Sequence, residues 1–446
     1  MFYRDNTSEL ILREKFASLS TKEAQIVLPI SDRIVCREEN EFVNLNNYSP
    51  SKQPNTFRSE VSKELHLLLV EKVKIPKFID SEANTVDCDL NISGESLLHS
   101  LAFKDEISVI YQANNALSIS DKYSNIISEL NRMPDITFNV FKLSQYSEGN
   151  ELFVVMYHLM HLYNFTDTLQ INKKSYKNYF HLVNKKYRKN TYHNSIHGCD
   201  VTQTMFFLIK TCNIDSICNL TDMDIFSCFF ASSIHDLDHP GNNNNYEIAV
   251  GSPLAISYND KAVLENYHLC KAFSLLRKEQ CDIYENFSRG NYNTSRAIII
   301  NMVLSTDMAN HFSDLALTKN RVKAEDFNPA EKDKQLMLNQ LIHSADISNP
   351  IKPFDIYKEW VSRVFQEFYN QGDKERDRGL KISFLCDRNT TNVIDAQIGF
   401  IENITYPLFD SLCFAFPNMK MITNLISNNK EEFKSMKERG DKFNVQ

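Results

Sequence analysis

The sequence lacks the features of secreted, membrane-spanning and nucleic-acid-binding proteins. No uninterrupted apolar stretch is long enough to cross a bilayer, and the first residues carry no apolar signal core. The charge balance has no positive excess, because 49 Lys and Arg stand against 57 Asp and Glu, which argues against nucleic acid as the main partner. The ten cysteines form no C-x-x-C pair, as is typical of reduced core thiols. These absences predict a soluble, cytoplasmic protein without a transmembrane segment.

Glycine-rich phosphate loops and strand patterns are also missing. No G-x-x-x-x-G-K or G-x-G-x-x-G stretch and no internal repeat occurs, so a nucleotide-binding sheet is not expected. Apolar residues instead recur at intervals of three and four over long segments. These segments are Glu151–Tyr163, Lys174–Arg188, Asp200–Thr211, Asp222–Ile234, Ala262–Leu276, Ser295–His311, Lys332–Ala345, Pro353–Asn370 and Val393–Phe409. They predict an all-α fold, a compact multi-helix bundle.

The first 110 residues differ from the rest and contain no chemical motif. They combine short periodic segments with the polar stretch 44–57, which carries two prolines and is typical of a linker or flexible loop. We therefore expect residues 1–110 to form a partly disordered N-terminal extension, either structural or regulatory. A regulatory extension could bind a partner or mediate a homodimer. Residues 111–440 are predicted to form one large all-α domain.

One stretch of this domain is dense in metal-ligating side chains. His235, Asp236, Asp238 and His239 lie within five positions at the end of the apolar run 226–234. Unpaired polar groups are costly to bury, and a divalent cation bound by His and Asp would offset that cost. His235 and His239 are four positions apart and would share a face if the helix continued that far. The stretch predicts a metal site where helices meet.

Further ionisable residues lie on or beside apolar helices of the same domain. They are His193 and His197 upstream, and Glu265, His268, Asp307, His343 and Asp346 downstream. For any one such residue, a role as a hydrogen-bonded core histidine or a helix cap is the more common one. Five such clusters shift the balance, because burying that many ionisable groups without a metal would be very costly. The residues alone predict a metallohydrolase with one or two metals.

The order of these motifs resembles a known enzyme family. The motifs are H-N-x-x-H from His193, H-D-x-D-H-P-G-x-x-N from His235, V-L-E-N from Val263, T-D-M from Thr306, H-x-A-D-x-S-N-P from His343 and Q-x-G-F from Gln397. This order, with its spacing kept over residues 135–416, resembles the catalytic domain of the class I 3′,5′-cyclic nucleotide phosphodiesterases. Residues 371–379 are similar to the loop that precedes the substrate-binding helix of that family.

The resemblance implies a dinuclear metal centre. The tighter metal, zinc, would be bound by four residues: His197, His235, Asp236 and Asp346. A second metal, magnesium or manganese, would share Asp236 and otherwise hold mostly water. That water would be held by His239, Glu265 and Thr306. His193 would be the general acid that protonates the departing O3′. The pattern gives no ligand role to three further residues, for which we expect structural roles: His268, Asp238 and His311.

The resemblance also implies a pocket for the base. Gln397 and Phe400 are three positions apart and share a helical face, so that Gln397 would hydrogen-bond the purine edge while Phe400 stacks on the ring. Val364 would close the other side of the ring, and Asn349 and Tyr357 would line the pocket. Without the resemblance, Val364, Tyr357 and Phe400 would be interpreted as core residues.

The expected activity is metal-dependent hydrolysis of a 3′,5′-cyclic nucleotide to the 5′-monophosphate, which would terminate cyclic-nucleotide signalling. We favour cAMP over cGMP, because Asn349 and the stretches H-D-L-D-H-P-G and Y-N-D-K-A-V-L-E-N resemble cAMP-selective members. The V-T-Q-T after Asp200 instead resembles dual-specificity, calmodulin-stimulated members, and a rotated Gln397 amide can serve either base. Two alternatives stay open: a phosphohydrolase of the wider His-Asp superfamily acting on another nucleotide, and a scaffold that binds a cyclic nucleotide without hydrolysis.

Overall fold

Every regular element in the described part of the chain is a helix. A computed structural model describes residues 119–445, and no strand occurs within that range. The predicted all-α fold is confirmed for these residues. The extension 1–110 and the domain start at residue 111 lie outside them, so both stay predictions. None of the described helices is long and apolar enough to cross a membrane.

The described residues form eighteen α-helices. The first nine are α1 (Ile119–Leu130), α2 (Val140–Tyr146), α3 (Glu151–Leu162), α4 (Phe165–Thr168), α5 (Lys173–Lys186), α6 (Ser195–Thr211), α7 (Ile214–Ile217), α8 (Asp222–Ile234) and α9 (Asn244–Ala249). The others are α10 (Pro253–Tyr258), α11 (Val263–Leu275), α12 (Arg289–Leu304), α13 (His311–Arg321), α14 (Lys334–Asp346), α15 (Phe354–Asp377), α16 (Val393–Phe400), α17 (Tyr406–Leu412) and α18 (Lys420–Glu438). Short connections include 3₁₀ turns at Met308–Asn310, Asn349–Ile351 and Pro417–Met419 and a π-helical turn at Ile401–Thr405.

Helices α6 and α8 lie at the centre of the domain. α8 packs against both α6 and α12, and α6 also packs against α3 and α14. Their side chains are buried without interruption from His197 to Ile209 on α6 and from Asp224 to Ile234 on α8. A helix that is buried around its whole circumference belongs to the interior of a protein. Burial of each large apolar side chain here, such as Phe229, stabilises the fold by about 1.5–3 kcal/mol.

Side-chain caps begin both central helices. Asn194 precedes α6, and its Oδ1 accepts hydrogen bonds from the backbone N–H groups of Ile196 and His197. Thr221 begins α8 through a capping box with Asp224. Such caps satisfy backbone N–H groups that a helix leaves unpaired at its start. These short-range bonds set the positions at which the site-bearing helices begin.

All nine segments predicted as helical contain helix, but several of their ends differ. α6 begins at Ser195 rather than Asp200, because Asn194 caps it there. The predicted segment 295–311 is two helices, because α12 ends at Leu304 and a 3₁₀ turn separates it from α13. The T-D-M motif, residues 306–308, lies in this connection between the two helices.

The loop expected over residues 371–379 is wrong for residues 371–377, which continue α15 to Asp377. The helix persists because its last turns are packed rather than solvated. Gln371 and Glu375 are buried and both hydrogen-bond Ser383. These buried polar contacts need the helical spacing of four residues to reach the same partner.

Candidate metal centre and active site

The two upstream histidines lie at the start of α6. His197 is in the first turn and fully buried, whereas His193 precedes the cap Asn194 and is not helical. Their spacing of four residues therefore does not place both rings on one helical face. The ring centroids are 5.7 Å apart in an edge-to-face arrangement. His193 stays partly exposed to the site, while His197 points into the interior.

The H-D-x-D-H-P-G stretch leaves α8 in a tight turn. α8 ends at Ile234, with His235 as its C-cap, so the helix does not reach His239 and the condition for a shared face is not met. Asp238 has a left-handed backbone conformation with φ of 64°. Arg188 holds this residue through a hydrogen bond of 2.6 Å from Nε to Oδ1, which offsets the backbone strain of the turn.

Four side chains converge between α6, the end of α8 and the end of α14. They are His197, His235, Asp236 and Asp346, and their ligand atoms all lie within 4.8 Å of one another. Nε2 of His197 is 3.0 Å from Asp346 Oδ1 and 3.3 Å from Asp236 Oδ2. Nε2 of His235 is 3.2 Å from each of the same two oxygens. Two imidazole nitrogens and two carboxylate oxygens around one point form a donor set of the kind that binds divalent cations.

A backbone contact fixes the orientation of one of these rings. Nδ1 of His235 donates to the carbonyl oxygen of Ser232 at 2.9 Å. The neutral ring then carries its hydrogen on Nδ1, and the lone pair of Nε2 points at the two carboxylates. A ligating histidine in metalloproteins is oriented by such a second hydrogen bond, so His235 is arranged as a ligand.

The cluster concentrates charge in a buried place. Burial favours the neutral form of His235, but Asp236 and Asp346 outweigh it and raise the pKa of this imidazole well above its ordinary value. Burial likewise opposes ionisation of Asp346, yet His235 and a hydrogen bond with His197 hold the pKa of that carboxyl well below its usual range. The carboxylates thus stay ionised and require a positive partner, which is either a proton on His235 Nε2 or a cation that replaces this proton. A divalent cation fits that demand and the donor set.

His193 is held by a buried carboxylate of α15. Nδ1 of His193 lies 2.5 Å from Glu367 Oε1, and Glu367 Oε2 accepts hydrogen bonds from the backbone N–H groups of Tyr192 and His193 at 2.8 and 3.1 Å. Burial opposes a charged imidazole, but Glu367 and Asp236 outweigh it and raise the pKa of His193 to about 9. Nε2 lies 4.0 Å from Asp236 Oδ2. A protonated ring facing the cluster can act as a general acid.

His239 stacks on His193 but has the opposite protonation. The two ring centroids are 4.0 Å apart with an interplanar angle of 21°. The backbone N–H of Gly241 donates to Nδ1 of His239 at 3.0 Å, so the hydrogen of this ring is on Nε2. Burial and the charge of His193 lower the pKa of His239 well below its ordinary value. A neutral ring with an Nε2–H group can donate a hydrogen bond to water beside Asp236.

A cavity of about 500 Å³ adjoins the cluster. Its walls come from the turn after α8, from α9 and α11, from the segment between α12 and α13, and from α15. It exposes two carboxylates of the cluster, the candidate general acid and the three candidate water-holding residues. These residues are Asp236, Asp346, His193, His239, Glu265 and Thr306. The cavity therefore gives a substrate and water access to this side of the cluster.

Two of these residues are arranged to bind water. The amide of Asn244 holds the Glu265 carboxylate at 3.0 and 3.2 Å. Burial raises the pKa of Glu265 to about 7, with Asn244 opposing the shift and Asp307 adding to it. Thr306 donates its hydroxyl to the carbonyl oxygen of Val303 at 2.8 Å, which leaves its oxygen lone pairs as acceptors. Both side chains can accept hydrogen bonds from water in the cavity.

His268 lies in the wall of the site. Its Nδ1 donates to the carbonyl oxygen of Leu237 at 2.7 Å, and its Nε2 lies 3.6 Å from Asp236 Oδ1. Burial lowers the pKa of His268 to about 4, so the ring is neutral and its Nε2 lone pair faces the carboxylate. The structural role expected for His268 stays a prediction, but the residue borders the cluster. His311, by contrast, pairs with His343 at 2.8 Å between Nδ1 and Nε2.

The structure joins two of the base-pocket candidates directly and holds a third through a neighbour of His193. The hydroxyl of Tyr357 donates to Oε1 of Gln397 at 2.7 Å, and both residues are buried. The hydroxyl of Tyr192, the neighbour of His193, donates to Oδ1 of Asn349 at 2.8 Å. Two candidates are half-buried at the edge of the core on α15 and α16: Val364 and Phe400. None of the five candidates lines the cavity of about 500 Å³, so a base pocket formed by these residues stays a prediction.

Glu367 and Asn190 contact site residues, but no sequence motif predicts them. Glu367 lies two helical turns after the fully buried Trp360, and a carboxylate on that buried stripe is a signal that could have found it. Asn190 donates through Nδ2 to the carbonyl oxygens of His193 and His239 at 2.8 and 2.7 Å. It joins two segments of the site that are distant in sequence, and no local sequence pattern predicts such a contact.

The sequence of this region matches a known enzyme family. The family profile for 3′5′-cyclic nucleotide phosphodiesterase matches residues 192–426. The chain belongs to this family. The matched range contains every residue of the cluster and every base-pocket candidate, and it confirms the resemblance that the motifs indicate.

Two named phosphodiesterases are similar to the chain. A probable 3′,5′-cyclic-AMP phosphodiesterase of Caenorhabditis elegans is 37% identical over 318 residues, which are 70% of this chain and 47% of that protein. The 3′,5′-cyclic-AMP phosphodiesterase 4C of Rattus norvegicus is 35% identical over 325 residues, which are 71% of this chain and 60% of that protein. The match thus spans about half of the length of these relatives.

A solved phosphodiesterase domain shares the fold. The phosphodiesterase domain of the RhoPDE fusion protein from the choanoflagellate Salpingoeca rosetta superimposes with a TM-score of 0.64 at 29% sequence identity. The superposition covers 69% of this chain and 96% of that domain. The helical domain described here is therefore a phosphodiesterase fold.

Proposed function

We propose that this member of the phosphodiesterase family hydrolyses a 3′,5′-cyclic nucleotide to the 5′-monophosphate, with cAMP as the preferred substrate. The proposal rests chiefly on His193, whose Nδ1 is held by Glu367 and whose Nε2 lies 4.0 Å from Asp236. Opening a cyclic phosphate requires positive charge at the phosphoryl oxygens and an acid at the departing sugar oxygen. The cluster and His193 provide places for both within one cavity. The product would terminate a cyclic-nucleotide signal.

We propose that the site holds two divalent metals. Zinc would take the four-residue set of two histidines and two aspartates, a donor set that suits it. Magnesium or manganese would share Asp236 and otherwise prefer oxygen ligands and water, in the part of the cavity lined by His239, Glu265 and Thr306. When bound, the metals would activate water and offset charge on the phosphoryl oxygens. The protein side chains orient that water through hydrogen bonds.

His193 would deliver the proton that the leaving group needs. Its pKa of about 9 keeps Nε2 protonated at neutral pH, and Glu367 prevents the ring from rotating because it holds Nδ1. Transfer of the Nε2 proton to O3′ would release a neutral sugar hydroxyl instead of an alkoxide, which is a poor leaving group. The ring returns to its charged form by taking a proton from solvent.

The preference for adenine is supported by two amides. On the edge that carries N7, adenine presents an N6–H donor beside an acceptor nitrogen, which one Asn or Gln amide matches with two hydrogen bonds, whereas guanine presents two acceptors. On the N1 edge a rotated amide matches guanine, so the preference depends on the hydrogen bonds that fix the orientation of each amide. Tyr192 holds Oδ1 of Asn349, and Tyr357 holds Oε1 of Gln397. Each oxygen keeps a second lone pair, and each NH₂ group stays available as a donor. The purine ring would lie between two half-buried apolar side chains: Phe400 and Val364.

The test is a turnover assay with cAMP and cGMP on the purified full chain in the presence of zinc and magnesium. We expect 5′-AMP as product and a larger kcat/KM for cAMP than for cGMP. An equal or larger kcat/KM for cGMP would overturn the base preference. Binding of cAMP without any 5′-AMP would support a scaffold, and turnover of a mononucleotide or dinucleotide but not of cyclic nucleotides would support a general phosphohydrolase.

We further propose a cytoplasmic location and regulation through the N-terminal extension. The eight cysteines among residues 119–445 carry free thiols, which suits a reducing compartment. A homodimer or a regulatory partner would bind through residues 1–110, outside the described range. Light scattering of the full chain and of a variant without those residues tests this point. A dimer that persists in the shortened chain would contradict it.

A further inference from the structure

Lys352 is a buried cation at the end of the turn that carries Asn349. It follows the 3₁₀ turn Asn349–Ile351 directly and is only 2% exposed. Its Nζ donates three hydrogen bonds: to Asp200 Oδ1 at 2.8 Å, to Gln203 Oε1 at 2.9 Å and to Thr204 Oγ1 at 2.8 Å. An ammonium group has three N–H donors, so the interior satisfies all of them.

The three acceptors lie on one face of α6. Asp200 is itself 1% exposed, so Lys352 and Asp200 form an ion pair out of contact with water. Asp200 comes one helical turn after His197 of the metal cluster. The side chain of Lys352 therefore ties the turn to the helix that carries one of the four cluster residues.

The backbone of the same turn is held from another side. Nδ2 of Asn429 on α18 donates to the carbonyl oxygens of Pro350 and Lys352 at 2.7 and 2.8 Å. The turn also follows α14 closely, so that Asn349 comes three positions after Asp346 of the cluster. The turn is thus held through its backbone by α18 and through the Lys352 side chain by α6.

We propose that Lys352, paired with Asp200, is a positioning residue for base selection. It sets the location of the Asn349 amide relative to His197 and Asp346, and so relative to the phosphate that the cluster would hold. This inference rests on the proposed function, and it names a determinant of substrate choice that touches neither base nor phosphate.

The physical reason is the directionality of the buried contacts. Apolar packing in place of a buried ion pair often preserves or even increases stability, so stability alone does not explain the pair. Three fixed hydrogen bonds on one ammonium restrict the turn more tightly than apolar contacts do. An amide that must make two hydrogen bonds to a base edge needs placement within about 0.5 Å, and directional contacts on both the side chain and the backbone of the turn oppose its displacement.

The test replaces the buried cation and measures selectivity. Lys352→Met keeps the length of the side chain and removes the donors, and Asp200→Asn combined with Lys352→Met removes both charges, so that no unpaired carboxylate stays buried. For both variants we expect the ratio of kcat/KM for cAMP to that for cGMP to fall about tenfold, the discrimination carried by one two-bond amide contact. The change should appear mainly in KM for cAMP rather than in kcat, and the zinc content should stay at the wild-type level.

A matched control separates positioning from general destabilisation. Ile299→Ala removes a fully buried side chain of α12, and we expect it to lower the melting temperature while keeping the wild-type selectivity ratio. An unchanged ratio in the double variant would overturn the inference and leave Lys352 a purely structural residue. If the wild type turns over neither nucleotide, the proposed function fails. The inference is then decided by the ratio of Kd values for cAMP and cGMP, which must fall in the double variant.

Discussion

The imidazole of His193 and the carboxylate of Glu367 form a direct pair, with 2.5 Å between Nδ1 and Oε1. The two residues are 174 positions apart in the sequence. Burial disfavours the charged form of each, but their mutual attraction outweighs it. It lowers the pKa of Glu367 to about 2 and helps to raise the pKa of His193 to about 9. His193 is thus kept protonated where its proton is needed.

Removal of this carboxylate charge should change the pH dependence of turnover. We expect Glu367→Gln to move the alkaline limb of the plot of kcat/KM against pH to lower pH by about 1–3 pH units, because an opposite charge at this distance stabilises the protonated ring. The active form of a general acid is protonated, so the loss appears above its pKa and vanishes below it. Glu359→Gln is the control, since Glu359 is exposed on the same helix and pairs with Arg363. An alkaline limb that stays in place would show that Glu367 does not set the protonation of His193.

The same pair links stability to pH. Because the pKa of His193 is raised, this residue stabilises the folded state fully below pH 6.5, its ordinary pKa. That stabilisation is lost as the pH rises toward 9. Because the pKa of Glu367 is lowered, this residue stabilises the folded state fully above pH 4.5, its ordinary pKa. We therefore expect the melting temperatures of wild type and Glu367→Gln to differ most between about pH 4.5 and 6.5, and to converge by about pH 9. A difference in melting temperature that grows as the pH rises would contradict this expectation.

Loss of the acid and loss of a ligand should have different effects on the metals. We expect His193→Ala to keep the metal content and lose turnover by about 10²–10⁴-fold, the usual contribution of a general acid. Asp346→Ala should lose zinc as well, because Asp346 Oδ1 lies within 3.2 Å of both cluster histidines. Elemental analysis of the purified variants measures both contents. Equal metal loss in the two variants would mean that His193 is a ligand.

The hydrogen bond between Tyr357 and Gln397 should contribute to substrate binding. Tyr357→Phe removes the hydroxyl that donates to Oε1 at 2.7 Å, so the amide loses one restraint. A bond of this kind contributes about 0.5–1.5 kcal/mol, which corresponds to a rise of about 2–12-fold in KM for cAMP with little change in kcat. Tyr292→Phe on α12 is the matched control and should leave KM unchanged. A fall in kcat at constant KM would place Tyr357 in the chemical step instead.

A side chain at position 372 should destabilise the fold. A Cβ at this position would lie 1.9 Å from the carbonyl oxygen of Cys386, so the backbone of α15 or of the following segment would have to move. We expect Gly372→Ala to lower the free energy of unfolding by about 1–3 kcal/mol, as overpacking does, in urea denaturation. Gly399→Ala is the control, since its Cβ would meet only the side chain of Asn403 at 3.9 Å. That variant should be neutral or more stable, because alanine favours a helix.

Much of the fold followed from local patterns. The apolar periodicity predicted the central helices, since burial of one stripe or of a whole circumference leaves a direct trace in the sequence. The ends of the helices were harder to predict, because the cap Asn194 and the buried contacts of Gln371 and Glu375 with Ser383 decide them. The H-D-x-D-H-P-G stretch also predicted the cluster, whereas its spacing left open whether His235 and His239 share a helical face. The helix ends at Ile234.

By itself, the sequence determined the all-α class, because regular apolar spacing indicates helices. It also determined the family and the identity of the four cluster residues, because short motifs indicate both. Only the tertiary structure decided which partners hold those residues. Glu367 beside His193 and Lys352 beside Asp200 are pairs joined across the fold. Contacts between distant segments depend on how the helices pack, and an isolated Glu or Lys in a sequence does not indicate which residue it will contact.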